Sequence, residues 1–287
     1  MLDLYLAALS LGLGFAALSM GIFISMRIFD IPDITTDGSY TLGAALTAVM
    51  LTANISLAWI VPMVLVAGAL AGIVTGFIHT RLKVNALLAG ILVMTALYSV
   101  NLATMGRSNI PLLDTANLLR LLDGSLAAIY AEPLLLLLCV GLLGVGLSFV
   151  LRTDFGLAMR ATGSAEAMGR ANGIHTDRMK IIGLGMANAL IAFSGFLITQ
   201  LQGFADINMG IGIVITGLGS VMIGETFAQW LGVRHIGGRI AFVVLGTVLF
   251  RFILSLVLML GINPNWLRFA TAALVLVFVA LPNLKRR

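Results

Sequence analysis

The hydrophobic positions of this chain run on in long charge-free stretches, without the strict alternation of a half-buried strand. Residues 4–26 carry no charge over 23 positions, enough to cross about 30 Å of hydrocarbon as a helix. That stretch lacks the basic start and small-residue cleavage site of a secretion signal, so it predicts a retained span. Residues 38–80 are charge-free for 43 positions and predict two spans, broken where Asn, Ser and Pro gather between Asn54 and Pro62. Further spans are predicted over 84–106, 133–151 and 181–205, a short one over 207–224, and two more over 239–261 and 269–281. Arg251 interrupts the first of that last pair. The expected fold is all-α: a polytopic transmembrane helical bundle of about eight to nine spans. One membrane domain is expected over residues 1–287, without a catalytic module of its own.

Composition narrows the class. Sixty per cent of the residues are hydrophobic and only 10% charged, against about 25% charged in a soluble domain, and mean hydropathy is +1.09. Soluble, disordered, coiled-coil and collagenous classes are excluded, and the unbroken runs exclude a membrane barrel. A lone cysteine, Cys139, excludes a disulfide framework, and His79, His175 and His235 share no ligand spacing, so no metal site is expected.

Charge orients the chain. The net charge of +5 and pI near 9.9 would suit nucleic acid, but the basic residues lie in short connectors and form no stripe interleaved with aromatics. They gather at Arg81 and Lys83, between Arg152 and Lys180, at Arg234 and Arg239, and at Lys285-Arg286-Arg287, the asymmetry of cytoplasmic loops. The 152–180 connector, with five basic and three acidic residues, is expected inside. The 107–132 connector, with two basic and three acidic residues, is expected outside. Alternation puts the C-terminus inside and the N-terminus outside. Leu118, Leu121 and Leu122 fit either a short interfacial helix or a plain tether.

The cytoplasmic connector, at about 153–180, carries a local design. Ser164 is a suitable N-cap, Glu166 in the first turn complements the helix dipole, and Asn172-Gly173 supplies a left-handed C-cap. Between them a helix of about two turns is expected, roughly 10–12 Å long. Ala165, Ala167, Gly169 and Ala171 keep it slender, and Arg160 and Arg170 flank it with charge. Taken alone, it reads as a loop helix resting on the membrane surface. A thin, rigid, capped element also suits insertion into a cleft on another protein.

Arg160-Ala-Thr-Gly163, followed ten residues later by Gly173-Ile174, resembles the coupling segment of permeases of binding-protein-dependent ABC importers, the group that includes branched-chain amino acid and ribose permeases. Many members carry Asn two residues after the glycine, where this chain has Ala165. Other stretches resemble the branch linked to tryptophan and tyrosine uptake. They are Asp37-Gly38-Ser39, Asn188-Ala-Leu190 with Ser194-Gly195, Gln200-Leu-Gln202-Gly-Phe-Ala-Asp206, Met209-Gly210 and Ile223-Gly224-Glu225. The resemblance implies a transport subunit of the bacterial cytoplasmic membrane that pairs with a second permease, often an identical copy. It implies an ATPase docked on Arg160, Gly163, Ser164, Glu166, Arg170 and Gly173, and a solute-binding protein that delivers a small polar solute. That solute is an amino acid, and in the narrower branch an aromatic one. The chain contains no G-x-x-x-x-G-K-[ST] phosphate loop, so no cofactor of its own is expected and ATP hydrolysis falls to a separate subunit.

Polar interruptions stand at matching places in the two halves. Asp30-Ile-Pro32-Asp33 to Tyr40 precedes one Gly- and Ala-rich span, and Gln200 to Gly210 precedes another. Paired broken segments point to a midplane substrate site between pseudo-repeated halves. Asp37, Ser39, Gln200, Gln202, Asp206 and Asn208 are the candidate pathway residues, and each equally fits a cap or loop role at the surface. Arg251 lies at membrane depth, where charge costs at least about 2.5–3.5 kcal/mol, so it should face the bundle, with Asp206 or Glu225 as partner. It fits either a structural pair holding broken helices together or a role in the pathway. Gly68-Ala-Leu-Ala-Gly72 matches G-x-x-x-G and fits a helix-packing seam, with a second permease copy as its candidate partner. An ion-coupled secondary transporter acting without an ATPase is the alternative function. A membrane-embedded enzyme lacks any convincing catalytic cluster.

Overall fold

The computed structural model describes residues 2–112, 128–259, 263 and 266–284. The residues around Leu118, Leu121 and Leu122 lie outside this set. Among the described residues the chain forms eleven α-helices and one two-stranded antiparallel ribbon. Helix α1 (Leu2–Ile22) continues as a π-helical turn over Phe23–Ile28, and the chain then bends at Asp30, whose φ is +55°. There follow α2 (Thr35–Thr52), α3 (Leu57–Arg81), α4 (Ala86–Met105), strand β1 (Asn109–Pro111) and α5 (Ala128–Arg152). Two short helices, α6 (Asp154–Ser164) and α7 (Glu166–Ala171), lead into α8 (Thr176–Gln202). Strand β2 (Phe204–Asp206) pairs with β1, and α9 (Ile213–Trp230), α10 (Ile236–Met259) and α11 (Leu267–Leu284) complete the order.

Six helices are long and apolar enough to cross a membrane: α1 with its π-turn, α3, α4, α5, α8 and α10. Helices α2 and α9 have 18 residues each and reach only about 27 Å. They are the short members that the two polar interruptions predict, one in each half. Helices α1 and α8 are buried on nearly every side, and α8 packs against α1, α2 and α3. Helices α3, α4, α5 and α10 bury one face only and leave rows of Leu, Val and Phe exposed, as lipid-facing helices do.

Several boundaries differ from expectation for local reasons. The break between α2 and α3 covers 53–56, and Pro62 sits inside the second turn of α3 instead of stopping it. Helix α8 begins at Thr176, ahead of the predicted 181, because Asp177, Arg178 and Lys180 extend its first turns beyond the apolar stretch. Helix α9 begins at Ile213, since 207–212 is taken up by turns; the helix then runs on past Glu225 to Trp230.

Small residues set the closest approaches. Gly68, Gly72 and Gly76 of α3 stand over Ala192, Asn188, Leu184 and Ile181 of α8, and a Cβ on Gly72 would run into the Leu184 carbonyl. The Gly68–Gly72 pattern is therefore a seam within the chain and not one toward a second copy. The same contacts bring the end of α3 beside the start of α8, so these basic connectors gather at one end of the bundle; by the charge expectation above it is called the inner end, and the opposite end the outer. Residue Gly203, at φ +71°, closes α8 at the opposite end, where the β-ribbon lies.

Candidate translocation and coupling site

At the inner end α6 and α7 form a helix–turn–helix with Ala165 (φ −156°, ψ 82°) as its joint. Ser164 is not the N-cap expected for the short helix: it is the last residue of α6, and its hydroxyl donates to the Ala161 carbonyl at 3.3 Å. Ala165 takes the cap position without a side-chain bond, because the 154–164 segment is itself helical and absorbs Ser164. Gly173, at φ +82°, ends α7 as the C-cap pattern predicts.

Glu166 accepts hydrogen bonds from Lys180 Nζ and from Arg170, both at 2.7 Å, and Arg170 also donates to Asp177 at 3.1 Å and Thr176 at 2.8 Å. The Lys180 ammonium, aided by Arg170, holds the Glu166 carboxyl below the usual carboxylate range. This network fastens α7 to the first turn of α8. Arg160 is half-buried, with its Nε lacking a hydrogen-bond partner.

Gly163 faces the bundle. A Cβ there would run into the carbonyl oxygen of Ile28, so the π-turn touches α6 backbone to backbone. Phe29, just beyond, lays its ring against Gly183 of α8. On the other side of the π-turn, Arg27 pairs with Glu225 of α9, which also pairs with Arg239 of α10. Glu225 is buried, and Arg239 lies 5.3 Å from the centroid of the Phe23 ring. Sequence reasoning named Glu225 but missed Arg27 and Arg239 as its partners. The only signal was three opposite charges bordering apolar runs.

Nearer the outer end the two broken segments meet. The Asp37 carboxylate accepts hydrogen bonds from the backbone N–H of Gly212 at 2.9 Å and of Val214 at 3.1 Å, so a side chain of α2 caps α9. Asp37 also lines a cavity of about 360 Å³ between α2, α4 and residues 207–211. Asn101 reaches the same cavity; its Nδ2 donates to the Gly38 carbonyl at 3.2 Å, and its Oδ1 is buried without a partner. Below it, Asp33 accepts from Thr35 N–H at 2.9 Å and from Asn188 Nδ2 at 2.7 Å, and the Thr35 and Thr75 hydroxyls lie 2.7 Å apart. This buried junction of α2, α3 and α8 was not foreseen, since Asp33 stands in the sequence as one of three acids in a connector.

The remaining candidates separate. Ser39 and Gln200 are buried within α2 and α8, whereas Gln202 is exposed at the end of α8. Asp206 sits in the ribbon, accepting from Asn208 N–H at 2.8 Å and from Asn109 Nδ2 at 3.3 Å, which is a turn-stabilising role. Neither Asp206 nor Glu225 is the partner of Arg251. The Arg251 guanidinium lies 3.5 Å from the centroid of the Phe15 ring, which itself stacks on Tyr40, and its Nε has no hydrogen-bond partner. Arg251 and Asn208 share a second cavity, of about 310 Å³, between residues 208–216, α10 and α11.

Residues 4–280 match the family described as branched-chain amino acid transport system, permease component. The chain belongs to this family. It is 36% identical to a tyrosine transport system permease protein of Clostridioides difficile, over 93% of this chain and 87% of the relative. An uncharacterised protein of Rickettsia prowazekii is 32% identical, over 99% of both chains. The ribose import permease protein of Haemophilus influenzae is 24% identical, over 96% of this chain and 81% of that protein. No solved structure matches the chain. A multi-pass membrane permease component of sugar and amino acid importers is the class that family and fold define together.

Proposed function

We propose that this chain, as one membrane domain, is the permease subunit of an ATP-driven importer of the bacterial cytoplasmic membrane, carrying amino acids, with aromatic ones first. The observation that carries the reading is the 36% identity to a tyrosine permease along almost the whole chain. Two copies pair to enclose the pathway, a solute-binding protein delivers the solute, and a separate subunit binds and hydrolyses ATP. The α6–α7 pair is the docking element for that ATPase. Gly163 supports this role, because a push on α6 passes without slack into the π-turn and from there to Glu225. Closure of the ATPases then moves α6–α7 and shifts the bundle between two access states.

The test reconstitutes the chain with candidate ATPase and binding-protein partners and follows labelled tyrosine, tryptophan, leucine and ribose. Tyrosine- or tryptophan-stimulated ATP turnover is expected. Gly163→Leu should leave ATPase association measurable but abolish the stimulation. Uptake by the chain alone, driven by an ion gradient, would instead make it a secondary transporter.

A further inference from the structure

We infer that the cavity between residues 208–216, α10 and α11 is an oxyanion site that takes the carboxylate of the transported solute. Its lining includes two cations, Arg251 and Arg268, together with Asn208, Thr216 and Thr271. Among the described residues neither arginine forms an ion pair. Two cations along one cavity, neither paired with an acid among the described residues, leave positive potential there that an anion lowers.

The geometry of Arg251 selects the ligand chemistry. Phe15 covers one face of the guanidinium at 3.5 Å, so the group is held flat and its donors point outward along its edge. A planar carboxylate meets such an edge in two parallel hydrogen bonds. The Thr271 hydroxyl spends its proton on the Leu267 carbonyl at 2.7 Å, which leaves its lone pairs as acceptors for an ammonium group. Anion donors and a cation acceptor in one cavity of about 310 Å³ fit a small zwitterion.

Depth separates the solute from a lipid headgroup as the source of the anion. Arg268 is the exposed second residue of α11, at the outer end. Arg251 lies eight residues before the end of α10 at Met259, about 12 Å deeper along the helix. A headgroup phosphate stays at the interface, whereas a small solute can pass from the outer cation to the inner one. The choice of an amino acid as the solute rests on the function proposed above; the oxyanion site does not.

The test places the purified permease in phosphatidylcholine nanodiscs and follows thermal unfolding as sodium acetate or benzoate replaces chloride at constant ionic strength. The midpoint should rise with carboxylate in the wild type. Half-saturation should move roughly tenfold or more in Arg251→Gln and in Arg268→Gln. Arg268 is exposed, so its variant keeps the test alive if Arg251→Gln does not fold. A companion arm uses the reconstituted importer, where tyrosine should compete for uptake and tyramine, which lacks the carboxylate, should not. No carboxylate-dependent shift, or one that survives both substitutions, overturns the site. Loss of the shift when phosphatidylglycerol is added, dependent on Arg251, assigns the cavity to lipid and overturns the solute role. A shift that depends on both arginines without any amino acid uptake supports the site and removes the importer reading alone.

Discussion

Glu166 accepts from Lys180 and Arg170 at once, and Arg170 reaches on to Thr176 and Asp177, so one carboxylate organises the joint between α7 and α8. Its charged form is the one that binds, chiefly through Lys180, and its folded-state value is accordingly lowered. A depressed acid contributes stability that is fully present above its ordinary value and lost as pH falls through the lowered one. Hydrogen exchange over 166–171, corrected for intrinsic rates, should therefore keep its protection from neutral pH down through the ordinary glutamate value of about 4.3 and lose it only in more acid solution. Glu166→Gln should lack that protection at every pH. Equal protection in Glu166→Gln and the wild type at neutral pH would mean that this carboxylate does not hold the joint.

Helix contacts in the membrane depend on how close two backbones can come, and the glycines of this chain divide sharply on that measure. Gly72 of α3 lies where a Cβ would strike the Leu184 carbonyl, while around Gly141 of α5 nothing lies within 4 Å. Gly72→Ala must push α3 off α8, an overpacking cost of about 1–3 kcal/mol, and Gly141→Ala must not. Fluorescence-detected size-exclusion after heating should thus show a clearly lowered midpoint for Gly72→Ala and an unchanged or raised one for Gly141→Ala. Equal midpoints would mean that the α3–α8 seam does not limit stability. Both residues read alike along the sequence, as small positions in apolar helices, because hydropathy carries no information about which face meets a neighbour. The Gly68–Gly72 pattern was legible as a seam, but its partner α8 was not, since the two are about 120 positions apart.

At the scale of the whole chain, hydropathy was enough for the spans and the two short helices, because insertion into hydrocarbon acts on each segment separately. Arg251 was legible as an exception for the same reason. What stayed hidden were pairings across the chain: Arg27 and Arg239 on Glu225, Asn188 on Asp33, and Phe15 under Arg251. The pairing with the widest consequence is that of Asp37. It stands in the first half, yet its two carboxylate oxygens satisfy backbone N–H groups at the start of α9 in the second half, so the second broken helix begins on a side chain of the first. Residues 207–212 are turns without a ladder to hold them, so this cap fixes the segment that separates the two outer cavities. Asp37→Ala should free it, whereas Asp37→Asn keeps one acceptor oxygen and should largely preserve it. In a Cys139→Ser background, Ile211→Cys reports the segment, because Ile211 is exposed. With the permease in nanodiscs, which leave both faces open, labelling by a charged thiol reagent should change several-fold in Asp37→Ala and remain near its starting rate in Asp37→Asn. A second reporter at Met168→Cys on α7 should not respond, since Glu166 and Glu225 hold the inner end independently of the cap. A response at both reporters would mean that the halves move as one body, and an unchanged rate at 211 would mean that Asp37 does not join them.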